Sequence, residues 1–160
     1  MKLIQDTKEF FKRPFFSDER TLWGLWMLLP LIAALLKIHK HNNYLIFRGV
    51  FWHTWDKVSL YTEYPQEYFD TNHYGPFFSL VIAPFALMPE WVGLLFWLIA
   101  LSLSLFLATR SLPIDYRKKV FIYWFCAHEL LTALFMSQFN IAIAAIIIAT
   151  FYCIEKEKDI

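Results

Sequence analysis

Residues 91–109 read WVGLLFWLIALSLSLFLAT, nineteen positions without a charge. At about 1.5 Å per residue the run makes a helix of about 28 Å, close to the thickness of a bilayer's hydrocarbon core. The same pattern recurs on both sides of it. Thr21–Leu36 is uncharged, with Pro30 inside it and Lys37 placed to snorkel at its end. Val120–Met136 is apolar apart from His128 and Glu129, and Phe139–Ile154 is uncharged and rich in Ile and Ala. Spans of about 21–38, 91–109, 120–136 and 139–154 follow, all helical.

Composition points the same way. Of 160 residues, 58% are hydrophobic and 20% aromatic. Only 18% are charged, against roughly 25% in ordinary soluble domains. A soluble domain of this size cannot hide so much apolar surface, and a disordered chain would not carry it. Cys126 and Cys153 sit inside apolar runs, so no disulfide framework is present. A net charge of +1 offers nucleic acid no basic field. The expected class is an all-α polytopic transmembrane bundle.

Phe77–Met88 is the ambiguous run. It holds Pro84, ends at Pro89, and at 12 residues is too short to cross untilted. Lysine and arginine placement decides between crossing and not crossing. With a cytoplasmic amino terminus, a crossing segment would leave 5 basic residues inside and 10 outside. A segment that does not cross leaves 11 inside and 4 outside. Cytoplasmic loops carry the excess. Four spans are therefore expected, with 1–20 a cytoplasmic interfacial segment, 39–76 an outer loop and 77–88 re-entrant or juxtamembrane. Residues 155–160 then form a cytoplasmic tail.

The outer loop is dense in Phe, Tyr and Trp mixed with acids. Tyr44, Phe47, Phe51 and Trp55 fall on one helical face, with His53 and Asp56 pointing away. Aromatic rings cover the C–H faces of sugars, and carboxylates accept their hydroxyls. The same rings also suit an interfacial belt. Inside the spans, Glu129 beside His128 either faces a site or holds two helices together. Ser137, Gln138 and Asn140 either cap helix ends or line a polar cavity. The chain has no glycine-rich phosphate loop, no zinc-ligand spacing and no nucleophile elbow.

The order of motifs resembles the amino-terminal part of glycosyltransferase family 87, GT-C-type enzymes that use polyprenyl-phosphate sugars, notably mannose. The resemblance runs from about residue 20 onward through Asn42-Asn43-Tyr44, Tyr64-Pro65 and Phe69-Asp70. It continues through Tyr74-Gly75-Pro76-Phe77, Ala83-Pro84-Phe85-Ala86-Leu87-Met88-Pro89, His128-Glu129 and Gln138-Phe139-Asn140. It implies inverting transfer to an acceptor hydroxyl on the outer face, with an acid of the first outer loop as base. The family's acid falls at Asn43, and an amide cannot take a proton at neutral pH. Asp70, and after it Glu67, is then the expected base. Asn42, Arg48, Tyr64, His73, Tyr74, Glu129, Gln138 and Asn140 are the expected substrate contacts.

No cofactor and no metal is implied. The implied partners are a polyprenyl-phosphate-linked sugar donor, a glycan or lipid acceptor and the lipid bilayer, without nucleic acid. The implied location is a bacterial plasma membrane, multi-pass, with the loop extracytoplasmic. The family also implies more spans than four, so the chain is expected to be part of a longer enzyme and inactive alone. The alternative that Asn43 raises is a non-catalytic membrane assembly or binding subunit. A transporter segment built on Glu129 and His128 ranks last, because no internal repeat is present.

Overall fold

The uncharged run at 91–109 lies within the longest helix of the computed structural model, which describes residues 13–37 and 39–156. The described helices are α1 (Pro14–Ser17), α2 (Glu19–Lys37), α3 (Asn42–Trp55), α4 (Phe78–Ala86), α5 (Glu90–Ser111), α6 (Tyr116–Phe135) and α7 (Asn140–Glu155). Among the described residues there is no strand, so the all-α expectation holds. By length and hydropathy, α2 and α5 can each cross a bilayer, and α7 is a shorter apolar helix. Of the 1–20 segment, residues 1–12 lie outside the described residues, as do 157–160 of the tail.

Local chemistry starts the first long helix. Asp18 Oδ1 accepts from the backbone N–H of Arg20 at 2.7 Å and of Thr21 at 3.3 Å. These are orphan donors of the first turn of α2, and a side-chain oxygen is the usual cap. The short α1 is tied to α6, because Trp124 Nε1 donates to the Phe16 carbonyl and the Tyr116 hydroxyl to that of Ser17.

Side-chain contacts at both ends show that α2 and α5 run antiparallel. Arg110 meets Glu19 at 2.9 Å at one end. At the other, His41 Nε2 lies 2.9 Å from Glu90. Consequently α3, the loop after it and α4 all sit at the His41–Glu90 end. At nine residues, α4 packs against α3 and α5 there and does not run the length of the bundle.

The core between α2, α5 and α6 is aromatic, and the polar handles of Trp26 and Tyr123 are paired across it. Trp26 Nε1 donates to the Tyr123 carbonyl, and the Tyr123 hydroxyl donates to that of Phe106. Pro30 brings no N–H, so the carbonyl four residues back, Trp26, loses its helical partner. Ser102 Oγ donates to that carbonyl at 2.6 Å. Both residues are buried. Ser102→Ala would orphan the Trp26 carbonyl and is expected to cost about 1–3 kcal/mol, read as a lower midpoint of thermal unfolding.

The helix α3 departs from its simple amphipathic reading. His53 does not point away from the packed face; it is 5% exposed. The loop after α3 folds back over it, placing the Tyr64 ring 3.8 Å away and Glu67 Oε2 3.1 Å from Nε2. Both long sides of α3 are therefore covered, one by α4 and α5 and the other by the loop.

Candidate active site

Two consecutive asparagines open α3 and reach in different directions. The Asn42 side chain turns to the loop, where it donates to the Phe69 carbonyl and accepts from the Phe69 N–H. Asn43 Nδ2 donates to the Met136 carbonyl at 2.8 Å, at the end of α6. A third amide, the buried Asn72, donates to the carbonyls of Leu60 and Tyr74 and accepts from the Tyr74 N–H. These side chains pin a loop that has no regular structure to supply its own backbone partners.

The end of α6 is built by a left-handed residue. Ser137 has φ of 50°. Its N–H donates to the Leu134 carbonyl and that of Gln138 to Ala133. This is the Schellman pattern, in which glycine is the usual occupant. It turns the chain sharply and presents Gln138, Phe139 and Asn140 toward α3. Phe139 stacks on Trp97 and meets Phe78 edge-on. Phe47 and Tyr74 complete this aromatic floor.

A cleft of about 170 Å³ lies between these three walls. Asn43, Ile46 and Phe47 line it from α3, and Asp70, Thr71, His73 and Tyr74 from the loop. Gln138, Phe139 and Asn140 line it from the α6–α7 turn. Of the residues expected from sequence, Asn43, Asp70, His73, Tyr74, Gln138 and Asn140 are thus brought together. Asp70 also has a left-handed backbone, φ 75°, and one carboxylate oxygen accepts from the Thr71 N–H at 2.8 Å. Among the described residues, the side chains of His73, Gln138 and Asn140 make no hydrogen bond. Burial pushes the Tyr74 phenol above its ordinary value, so it stays a neutral hydroxyl.

The remaining expected residues lie elsewhere. Glu67 and Arg48 line a separate cleft of about 360 Å³ with Trp52, Gln66 and Glu90. There Arg48 is spent on Glu90 at 3.2 Å and on the Ala86 carbonyl. The Tyr64 hydroxyl is spent on the Ser59 carbonyl. Glu129 and His128 are 81% and 83% exposed on the outer side of α6, 3.5 Å from each other. Neither lines the cleft.

Sequence reasoning passed over Thr71 and Phe139 as lining groups and Asn72 as an organiser. The signal for Asn72 was local: an Asn two residues before Tyr74-Gly75-Pro76 is placed for an Asx turn. No group of three or more His, Cys, Asp or Glu among the described residues forms a metal-holding cluster.

The described residues thus form an all-α chain with two helices long and apolar enough to cross a bilayer and a cleft lined by carboxylate and amide side chains. The model of glycosyltransferase family 87 matches residues 72–160. The chain belongs to that family, whose members are membrane glycosyltransferases. No curated protein and no solved structure matches the chain. The matched region holds the α4 segment and the Gln138-Phe139-Asn140 turn. Asp70 and Asn43 precede it.

Proposed function

We propose that the protein transfers a hexose, mannose first among candidates, from a polyprenyl-phosphate donor to an acceptor hydroxyl, and that the cleft is where transfer occurs. The observation that carries this reading is the sorting of side chains. Asn42, Asn43, Arg48 and Tyr64 are spent on the protein itself, whereas Gln138, Asn140, His73 and one oxygen of Asp70 face the cleft without a protein partner. Unspent donors and acceptors over an aromatic floor suit a ligand with many hydroxyls.

In this reading Asp70 accepts the proton of the acceptor hydroxyl as that oxygen attacks the anomeric carbon. The bond from that carbon to the phosphate oxygen breaks, and the lipid phosphate leaves with the electron pair. Attack from the face opposite the leaving group inverts the centre. His73 is the lining group whose ring N–H can donate to a phosphate oxygen. Gln138 and Asn140 hold sugar hydroxyls. Asp70 is preferred to Glu67 because Glu67 is paired with His53 and lines the other cleft.

The reading includes a topology: α2, α5, α6 and α7 as spans of a bacterial plasma membrane, both termini cytoplasmic and the cleft extracytoplasmic. The lysine and arginine distribution supports it. The donor test compares polyprenyl-phosphate mannose with a nucleotide-linked mannose in membrane vesicles. Transfer from the lipid donor alone is expected; transfer from the nucleotide sugar alone would overturn the donor assignment.

Asn43 is read as the amide that holds the α6 terminus. Asn43→Asp would lose the donor to the Met136 carbonyl and set a carboxylate against it. It is expected to destabilise the protein by about 1–3 kcal/mol and to leave an Asp70→Asn variant unrescued. Restored transfer in that double variant would return the base to position 43.

A further inference from the structure

Asn42 stands outside the cleft with both its amide nitrogen and its oxygen engaged by one residue. Its oxygen accepts from the Phe69 N–H and its amide donates to the Phe69 carbonyl, both at 2.7 Å. One side chain that bonds both polar groups of a residue fixes that peptide segment much as a neighbouring strand would. The residue that follows is Asp70, whose φ of 75° lies in the region that favours glycine. Asp is one of the few non-glycine residues that visit this region, because its short side chain bonds locally, as Asp70 does with the Thr71 N–H, and the conformation persists where the surroundings over-determine it. Packing of Phe69 does not supply that constraint, because its side chain is 81% exposed. The two bonds from Asn42 hold this segment, next to the buried Tyr68.

We infer that Asn42 is a positioning residue: its clasp on Phe69 turns the Asp70 carboxylate into the cleft. This rests on the reading of Asp70 as the base. The adjacent Asn43 holds the Met136 carbonyl on the opposite wall. One helical turn at the start of α3 therefore sets the separation of the loop from the α6–α7 turn. Asn42 acts on the substrate only through Asp70.

The test uses the protein expressed from its native gene in membrane vesicles. Asn42→Ala removes both bonds, and Asn42→Asp keeps the acceptor and loses the donor. Amide hydrogen exchange at Phe69 reads the clasp without any chemistry. It is expected to rise about tenfold or more in Asn42→Ala, with the amides of α5 unchanged. Unaltered exchange at Phe69 would overturn the inference.

Sugar transfer reads the positioning. In Asn42→Ala, kcat is expected to fall by about 10²-fold, the usual penalty for a displaced catalytic group, while the donor KM stays within about twofold. Asn42→Asp is expected to fall between it and the wild type. Adding Asn42→Ala to Asp70→Asn is expected to cost almost nothing more, because both act through one carboxylate. A loss carried by KM, or one that adds fully to that of Asp70→Asn, would overturn positioning in favour of direct substrate contact. Wild-type transfer by Asp70→Asn with raised Phe69 exchange in Asn42→Ala would overturn the base assignment and the positioning role together, leaving the clasp itself intact.

Discussion

Replacing Asp70 with Asn is expected to lower sugar transfer by about 10²–10⁴-fold, the share that a positioned general base contributes. The substitution is chosen so that little else changes. Asn is among the few residues that accept a left-handed backbone readily, so the φ of 75° is kept. Its oxygen still accepts from the Thr71 N–H, as Asp70 Oδ1 does. The side chain keeps its size and the cleft its shape. What is lost is the ability to take a proton at neutral pH. The loss is therefore expected in kcat, with the thermal midpoint unchanged. Steady-state transfer and thermal unfolding in detergent, measured on the same preparation, check both halves. Transfer within about threefold of the wild type would remove Asp70 from the base role.

Gly93→Ala is expected to have the largest effect on stability. Gly93 lies where α3, α4 and α5 meet, and a Cβ there would run into the Tyr44 hydroxyl and the Phe85 carbonyl oxygen. Tyr44 is fully buried and donates to that same Phe85 carbonyl at 3.1 Å. Relieving the clash means moving backbone of α4, because Phe85 contributes a main-chain oxygen. Overpacking of this kind costs about 1–3 kcal/mol, and losing the Tyr44 bond adds about 1 kcal/mol. Gly49→Ala makes the comparison, since its Cβ would meet a side-chain ring carbon of Tyr68 at 2.7 Å and no main-chain atom. The expected order of thermal midpoints is wild type, then Gly49→Ala, then Gly93→Ala. An unchanged midpoint for Gly93→Ala would show that α4 is not held against α5 at this point.

The long helices were legible because uncharged runs are a local property. Trp91–Thr109 needed no information from elsewhere in the chain to be read as α5. The short α4 was legible as a separate apolar segment, since Pro84, Pro89 and the length of the run are also sequence properties. His53 was not legible. Its burial comes from a loop that folds back with Tyr64 and Glu67, and helical periodicity within 42–55 carries no trace of that return.

The site was legible in composition and less so in role. Asp70, His73, Tyr74, Gln138 and Asn140 were identifiable as polar groups beside aromatic motifs, and they converge. Asn42 and Asn43 were told apart in sequence only by the resemblance, which put the family's acid at Asn43 and a substrate contact at Asn42. Their partners, Phe69 and Met136, lie 27 and 93 residues away, and only the tertiary arrangement shows that both amides are already engaged. Glu129 was conspicuous as a charge in an apolar run, yet which face of α6 it occupies depends on which neighbours pack there. The left-handed turn at Ser137 carried no glycine to announce it.

The central claim is that transfer occurs in the cleft bounded by the start of α3, the 70–74 loop and the α6–α7 turn. The most direct test sets Asp70→Asn beside Glu67→Gln in one assay of transfer from polyprenyl-phosphate mannose, since the two carboxylates face different clefts. The account predicts a loss of about 10²-fold or more for Asp70→Asn, with Glu67→Gln within about threefold of the wild type. The reverse pattern, with Glu67→Gln inactive and Asp70→Asn intact, would contradict it.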